Sequence, residues 1–123
     1  IKAGDTYCYD EVNKATQKQR ELEAADEIFS LLPIDQTIKL RALWEEFEEG
    51  QSAEACFARA MDRIQPVMLN DASEGKKWVE NNIKLSQVMK RNAPVANGSK
   101  VLFEYMVENF IQPNVEKGKL RNE

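Results

Sequence analysis

The sequence contains no histidine and only two cysteines. The lack of histidine excludes an imidazole base anywhere in the chain. Cys8 and Cys56 stand far apart, which excludes a zinc knuckle or a redox pair and favours reduced thiols. A glycine-rich phosphate loop and a nucleophile elbow are also absent. Whatever chemistry the chain performs must therefore be carried by other side chains.

Long apolar runs are missing as well. The longest span only a few residues, such as 66–69, whereas a membrane helix needs about 20. Seventeen basic and 21 acidic residues are interspersed, and the net charge of −4 predicts no nucleic-acid binding. The sequence therefore predicts a soluble, cytoplasmic protein without a membrane partner. It opens at Ile1 without an initiator Met or signal-peptide features, so we expect a longer parent protein.

Apolar residues recur at helical spacing through most of the chain, and no segment shows the alternation typical of a strand. The length suits one domain. We therefore predict an all-α helical bundle that forms a single domain over residues 1–123.

Local signals give the expected helix bounds. A capping box at Thr16 predicts a first helix over 17–32, after a loop over residues 1–15. A second helix should end at Gly50, and Ser52 should cap a third that Pro66 bends or ends. Residues 70–75 are predicted to be a loop, and the second half of 76–91 to be helical. A last helix should follow Ser99 and be interrupted by Pro113.

Asp62 is the first candidate functional residue, because Ala55 and Ala58 precede it on its helix face. A carboxylate among small residues needs a cation, backbone donors or a metal ion as partner. From spacing alone, an ion pair with Arg59 is the commoner arrangement. Metal binding by Asp62 remains the alternative.

Asp5 is the second candidate, in the opening loop between Gly4 and Thr6. A short acidic side chain there can cap a turn or act as a general acid or base. Turn formation is the commoner role, because Gly-Asp-Thr is a weak motif.

Taken as a whole, the chain resembles the C-terminal part of the HD-domain metal-dependent phosphohydrolases, the family that includes the 5′-deoxynucleotidases. The stretches that carry the resemblance are 3–7, 24–33, 43–48, 52–63 and 87–94. The strongest is 52–63, which is similar to the family's late helix that ends in a metal-binding aspartate.

This resemblance implies specific roles for the two aspartates. Asp62 matches the last metal ligand, and Asp5 matches an aspartate that assists attack by water on the phosphate. The family's other ligands, a histidine and a His-Asp doublet, would lie upstream of Ile1. We therefore expect a divalent metal ion only in the intact parent and no turnover by this chain alone.

The resemblance implies that the parent hydrolyses a small phosphorylated substrate, most simply a nucleoside 5′-monophosphate. An alternative is a non-catalytic helical module for interaction or dimerisation. Either hypothesis predicts a homodimer, because loss of upstream helices should uncover apolar positions.

Overall fold

The computed structural model describes residues 2–123 and is all-α over them, as predicted. Its contacts group the chain into two compact units, 2–45 and 46–123, and the division falls inside the second helix. The helical segments, in chain order, are α1 Glu11–Phe29, α2 Ile34–Glu49, α3 Ala53–Ala72, α4 Lys76–Glu80, α5 Leu85–Asn92, α6 Val95–Gly98, α7 Lys100–Met106, a π-helical turn Val107–Ile111 and α8 Gln112–Glu116. Within the described residues, no helix is long and apolar enough to cross a membrane.

The first unit contains α1 and most of α2. Thr37 donates its hydroxyl hydrogen bond to the carbonyl of Phe29 at 2.7 Å, which closes the turn between the two helices. The rings of Phe29 and Trp44 lie 6.2 Å apart. Among the described residues of this unit, Ala25 is the one buried apolar side chain. The unit thus encloses very little core of its own.

The second unit holds nearly all of the buried core. Its α3 packs most extensively against α6. The buried apolar side chains are Ala55, Ala60, Ile64, Val67, Trp78, Ile83, Val88, Val95, Met106, Ile111 and Leu120. The end of the chain is tied to this core by an isolated parallel bridge between Lys84 and Arg121.

Three of the predicted helix ends are confirmed. Ser52 caps α3 by accepting a hydrogen bond from the Ala55 N–H at 3.1 Å. Ser99 caps α7 in the same way, through the Leu102 N–H at 3.2 Å. Gly50 follows α2 with a φ of +64°, the left-handed conformation expected after a helix. Local cap chemistry therefore predicted these boundaries correctly.

The predicted start of α1 is wrong. The helix begins at Glu11, because Asp10 accepts a hydrogen bond from the Asn13 N–H at 3.1 Å and so acts as the cap. Thr16 lies within the helix, where its hydroxyl donates to the Asn13 carbonyl at 3.4 Å. The first turn carries an exposed Val12 and no apolar stripe, so helical periodicity could not reveal it.

Neither proline ends the helical backbone, so a helix end at Pro66 and an interruption at Pro113 are both wrong. The helix α3 continues beyond Pro66 to Ala72, which extends it into the predicted loop at 70–75. Helical backbone likewise continues through Pro113 to Glu116, after the π-helical turn. Pro113 lies in the first turn of α8, a position where a proline is tolerated because the N–H that it lacks has no partner within that helix. The short α6 at Val95–Gly98 was not predicted either.

Candidate functional site

Asp5 lies in the loop that precedes α1, as predicted, and its side chain is exposed. The residue before it, Gly4, has a φ of +74°, a conformation that residues with a Cβ rarely adopt. Among residues 2–123, no hydrogen bond or ion pair engages the Asp5 carboxylate. The carboxylate therefore faces solvent with all its acceptor positions available.

The loop around Asp5 is held by a residue that the sequence analysis missed. Arg20, on α1, donates to the carbonyls of Ala3 and Gly4 and to the hydroxyl of Thr6, the last at 2.7 Å. Arg20 also lines an open cavity of about 230 Å³ beside this loop. The lining includes an ion pair between Lys2 and Glu27. No sequence motif marks Arg20, because its hydrogen bonds to the loop join residues 14 to 17 positions apart.

Asp62 lies near the middle of α3 and is exposed. The two alanines that precede Asp62 on its helix face differ in exposure, since Ala55 is buried and Ala58 is exposed. Pro66, four residues later, has no N–H, so the Asp62 carbonyl lacks its usual helical donor. Asp62 thus presents its carboxylate to solvent at a point where the helical hydrogen-bond ladder is interrupted.

The ion pair between Asp62 and Arg59 that spacing suggested is not formed in the described part of the chain. Arg59 instead lies over the ring of Phe47, 6.0 Å from its centroid. Its side chain also packs closely against Gly50. The cation that could have neutralised Asp62 is therefore engaged at the end of α2.

The residues described do not build a complete metal site. Across residues 2–123, no group of three or more His, Cys, Asp or Glu side chains is placed to hold an ion. Cys8 and Cys56 are both free and half-buried. One carboxylate cannot fix a divalent ion firmly, because such ions require several ligands. Asp62 and Asp5 belong to different units.

Perturbed ionisation occurs elsewhere in the first unit. The Asn13 side-chain amide and backbone N–H hold the pKa of Asp10 below its usual value. The Arg41 pKa is raised by hydrogen bonds to Asp26 and then Glu45. Both effects stabilise helices, since Asp10 caps α1 and Arg41 links α1 to α2. They mark structural contacts and not the candidate site.

Comparison with known proteins defines the class. The model of the HD domain family matches residues 1–102, most of the chain. Together with the all-α fold, this match shows that the chain belongs to the HD domain family.

Individual relatives make the comparison more specific. The chain is 41% identical over 71 residues to the 5′-deoxynucleotidase HDDC2 of Homo sapiens, and 39% identical over 71 residues to that of Bos taurus. The crystal structure of a predicted metal-dependent phosphohydrolase from Magnetospirillum magnetotacticum MS-1 has a TM-score of 0.89 and 38% identity, covering 98% of this chain. The matches span 34% of each HDDC2 protein and 59% of the bacterial one, so this chain corresponds to part of their length.

Proposed function

We propose that the intact protein is a metal-dependent phosphohydrolase that releases phosphate from nucleoside 5′-monophosphates. The observation that carries this proposal is the 41% identity to a 5′-deoxynucleotidase within an HD-domain match of residues 1–102. The structural likeness to a predicted metal-dependent phosphohydrolase supports the same reaction class. The alternative of a non-catalytic interaction module receives no support from these comparisons.

Within this proposal, Asp62 is one ligand of a divalent metal ion in the intact protein. The other ligands would come from outside the described residues, since residues 2–123 contain no ligand cluster. An exposed, unpaired carboxylate on a rigid helix suits this role, because a ligand must be free of competing cations. In this family a bound metal supplies Lewis-acid activation of the phosphate and its attacking water.

Asp5 is proposed to accept a proton from the attacking water. Hydrolysis forms a bond between the water oxygen and phosphorus and breaks the ester bond, and the leaving nucleoside oxygen takes up a proton from solvent as the nucleoside and inorganic phosphate are released. A carboxylate with free acceptor positions can take the proton that leaves the water. The exposed and unpartnered state of Asp5 supports this assignment.

The test compares phosphate release by the intact protein with that of three variants, using a panel of nucleoside 5′-monophosphates and Mn²⁺, Co²⁺ or Mg²⁺. Asp62→Ala should lower turnover at least about 100-fold and reduce bound metal. Even the loss of a group that only supports a metal ligand lowers metal affinity or activity about 10- to 100-fold. Asp5→Asn should lower turnover with metal content unchanged. Asp35→Ala, an exposed aspartate at the start of α2, serves as the control. Undiminished turnover by Asp62→Ala would refute the assignment.

We also propose that this chain forms a homodimer in the cytoplasm. Large apolar side chains in the first unit are widely exposed: Leu31 at 80%, Ile34 at 74% and Ile38 at 65%. Such a concentration is typical of surfaces that are covered by another part of an assembly. Light scattering during size-exclusion chromatography should give twice the monomer mass, and a monomer at micromolar concentration would contradict the dimer.

A further inference from the structure

We infer that Arg20 is a positioning residue that fixes the Asp5 loop while leaving the Asp5 carboxylate unneutralised. This inference rests on the proposed role of Asp5 in phosphate hydrolysis. It concerns the geometry of the loop and assigns Arg20 no contact with the substrate.

The contacts of Arg20 bracket Asp5 on both sides. One terminal nitrogen, Nη1, donates to the carbonyls of Ala3 and Gly4, the latter at 3.5 Å. The other, Nη2, donates to the Thr6 hydroxyl at 2.7 Å. A planar guanidinium holds several acceptors in a fixed relation, which a flexible ammonium cannot do. The backbone before Asp5 and the side chain after it are therefore anchored to the same group.

The close approach of Arg20 depends on Gly4. A Cβ built on Gly4 would lie 3.2 Å from the Arg20 Nη1 atom, which is tighter than ordinary contact. The φ of +74° at Gly4 also disfavours any residue with a Cβ. The Gly-Asp pair thus combines a glycine that admits the guanidinium with an aspartate that the guanidinium positions.

The Arg20 guanidinium positions the Asp5 loop without forming an ion pair with the Asp5 carboxylate. An arginine near an aspartate commonly forms a bidentate ion pair with it. Here the hydrogen bonds of Arg20 go to carbonyl and hydroxyl oxygens, including the Asn13 carbonyl at 3.3 Å, and not to Asp5. These donors are engaged by the loop and by Asn13 on α1, so the Asp5 carboxylate keeps its acceptor positions for water.

The experiment uses the intact protein and measures kcat and KM for the substrate that it turns over fastest. Arg20→Met should lower kcat about 10- to 100-fold, because small displacements of a catalytic group are costly. KM should stay within roughly threefold, since Arg20 does not bind substrate. Arg20→Lys should retain more activity than Arg20→Met, because its single charge can still reach one carbonyl.

Arg41→Met is the matched control. Arg41 also lies in the first unit, where it donates to Asp26 and, at 3.0 Å, to Glu45, and it has no hydrogen bond to the loop. The kcat of the Arg41→Met protein should stay close to that of the unmutated protein. A protease that cleaves before aspartate should cut the Gly4–Asp5 bond several-fold faster in Arg20→Met than in Arg41→Met. Unchanged kcat in Arg20→Met, or an equal loss in Arg41→Met, would overturn the inference.

A double variant separates this inference from the proposed function. When Asp5→Asn has already lowered kcat, adding Arg20→Met should cost little more, because the two residues act through one group. If the loss of kcat in the double variant equals the product of the two single losses, Arg20 acts independently of Asp5. That result would overturn the inference about Arg20 but not the proposed function. An Asp5→Asn protein with parental kcat would instead refute the proposed role of Asp5, and the inference with it.

Discussion

Replacement of Gly98 by alanine tests the packing on which the second unit depends. Gly98 ends α6 at the point where this helix meets α3. A Cβ at this position would lie 2.8 Å from the Cβ of Ala60 and 2.9 Å from the carbonyl carbon of Cys56, and it would press hardest on the Cys56 carbonyl oxygen. Ordinary carbon–carbon contacts are about 3.5–4.0 Å, so α6 would have to move away from α3.

The magnitude follows from two opposing terms. Overpacking a buried contact costs about 1–3 kcal/mol, and backbone atoms cannot relieve it by changing rotamer. Gly98 does not have a positive φ, so alanine can adopt its conformation and regains about 0.4–1 kcal/mol from the unfolded state. The net loss should be about 1–2 kcal/mol, equivalent to a fall in Tm of roughly 4–10 °C.

Thermal and urea unfolding of the Gly98→Ala protein provide the assay. Ala60→Gly removes one of the two methyl groups that would collide, so Gly98→Ala should cost less in an Ala60→Gly protein than in the parent. Part of the cost should persist, because the Cys56 carbonyl remains in place. A Gly98→Ala protein as stable as the parent, or more stable, would refute the packing argument.

Two further predictions concern helix caps. Ser52→Ala removes the acceptor for the Ala55 N–H and should destabilise the protein by about 1 kcal/mol, whereas Ser52→Thr should cost much less, as urea unfolding can measure. Asp10 has a lowered pKa in the folded protein because Asn13 donates to its carboxylate. Its stabilising contribution should be complete above the ordinary carboxyl pKa and be lost as the pH falls through the lowered value. Asp10→Asn, which can still cap α1, should make the free energy of unfolding less dependent on pH in this acid range. The same pH dependence in the variant and the parent would contradict the assignment.

The sequence predicted those parts of the fold that depend on local chemistry. Ser52, Ser99 and Gly50 have the expected roles because a cap is decided by a few neighbouring residues. The predicted helix end at Pro66 and the predicted interruption at Pro113 are wrong, because the helical backbone continues through both residues. The effect of tertiary packing on a proline cannot be read from periodicity.

The candidate site shows a similar division. Spacing alone favoured an ion pair for Asp62 and a turn for Asp5, and only the resemblance to a family assigned them chemistry. The structure adds that Arg59 is engaged with Phe47 and leaves Asp62 unpaired. The contacts of Arg20 with the Asp5 loop depend on how the chain folds back onto α1, so no local pattern could have predicted them.

The most direct test of the account is phosphate release from nucleoside 5′-monophosphates by the intact protein and its Asp62→Ala variant, with metal content measured in parallel. We predict metal-dependent release by the parent, and a loss of at least about 100-fold together with reduced bound metal in the variant. Equal activity and equal metal content in the two proteins would contradict the assignment of Asp62 and the phosphohydrolase mechanism built on it.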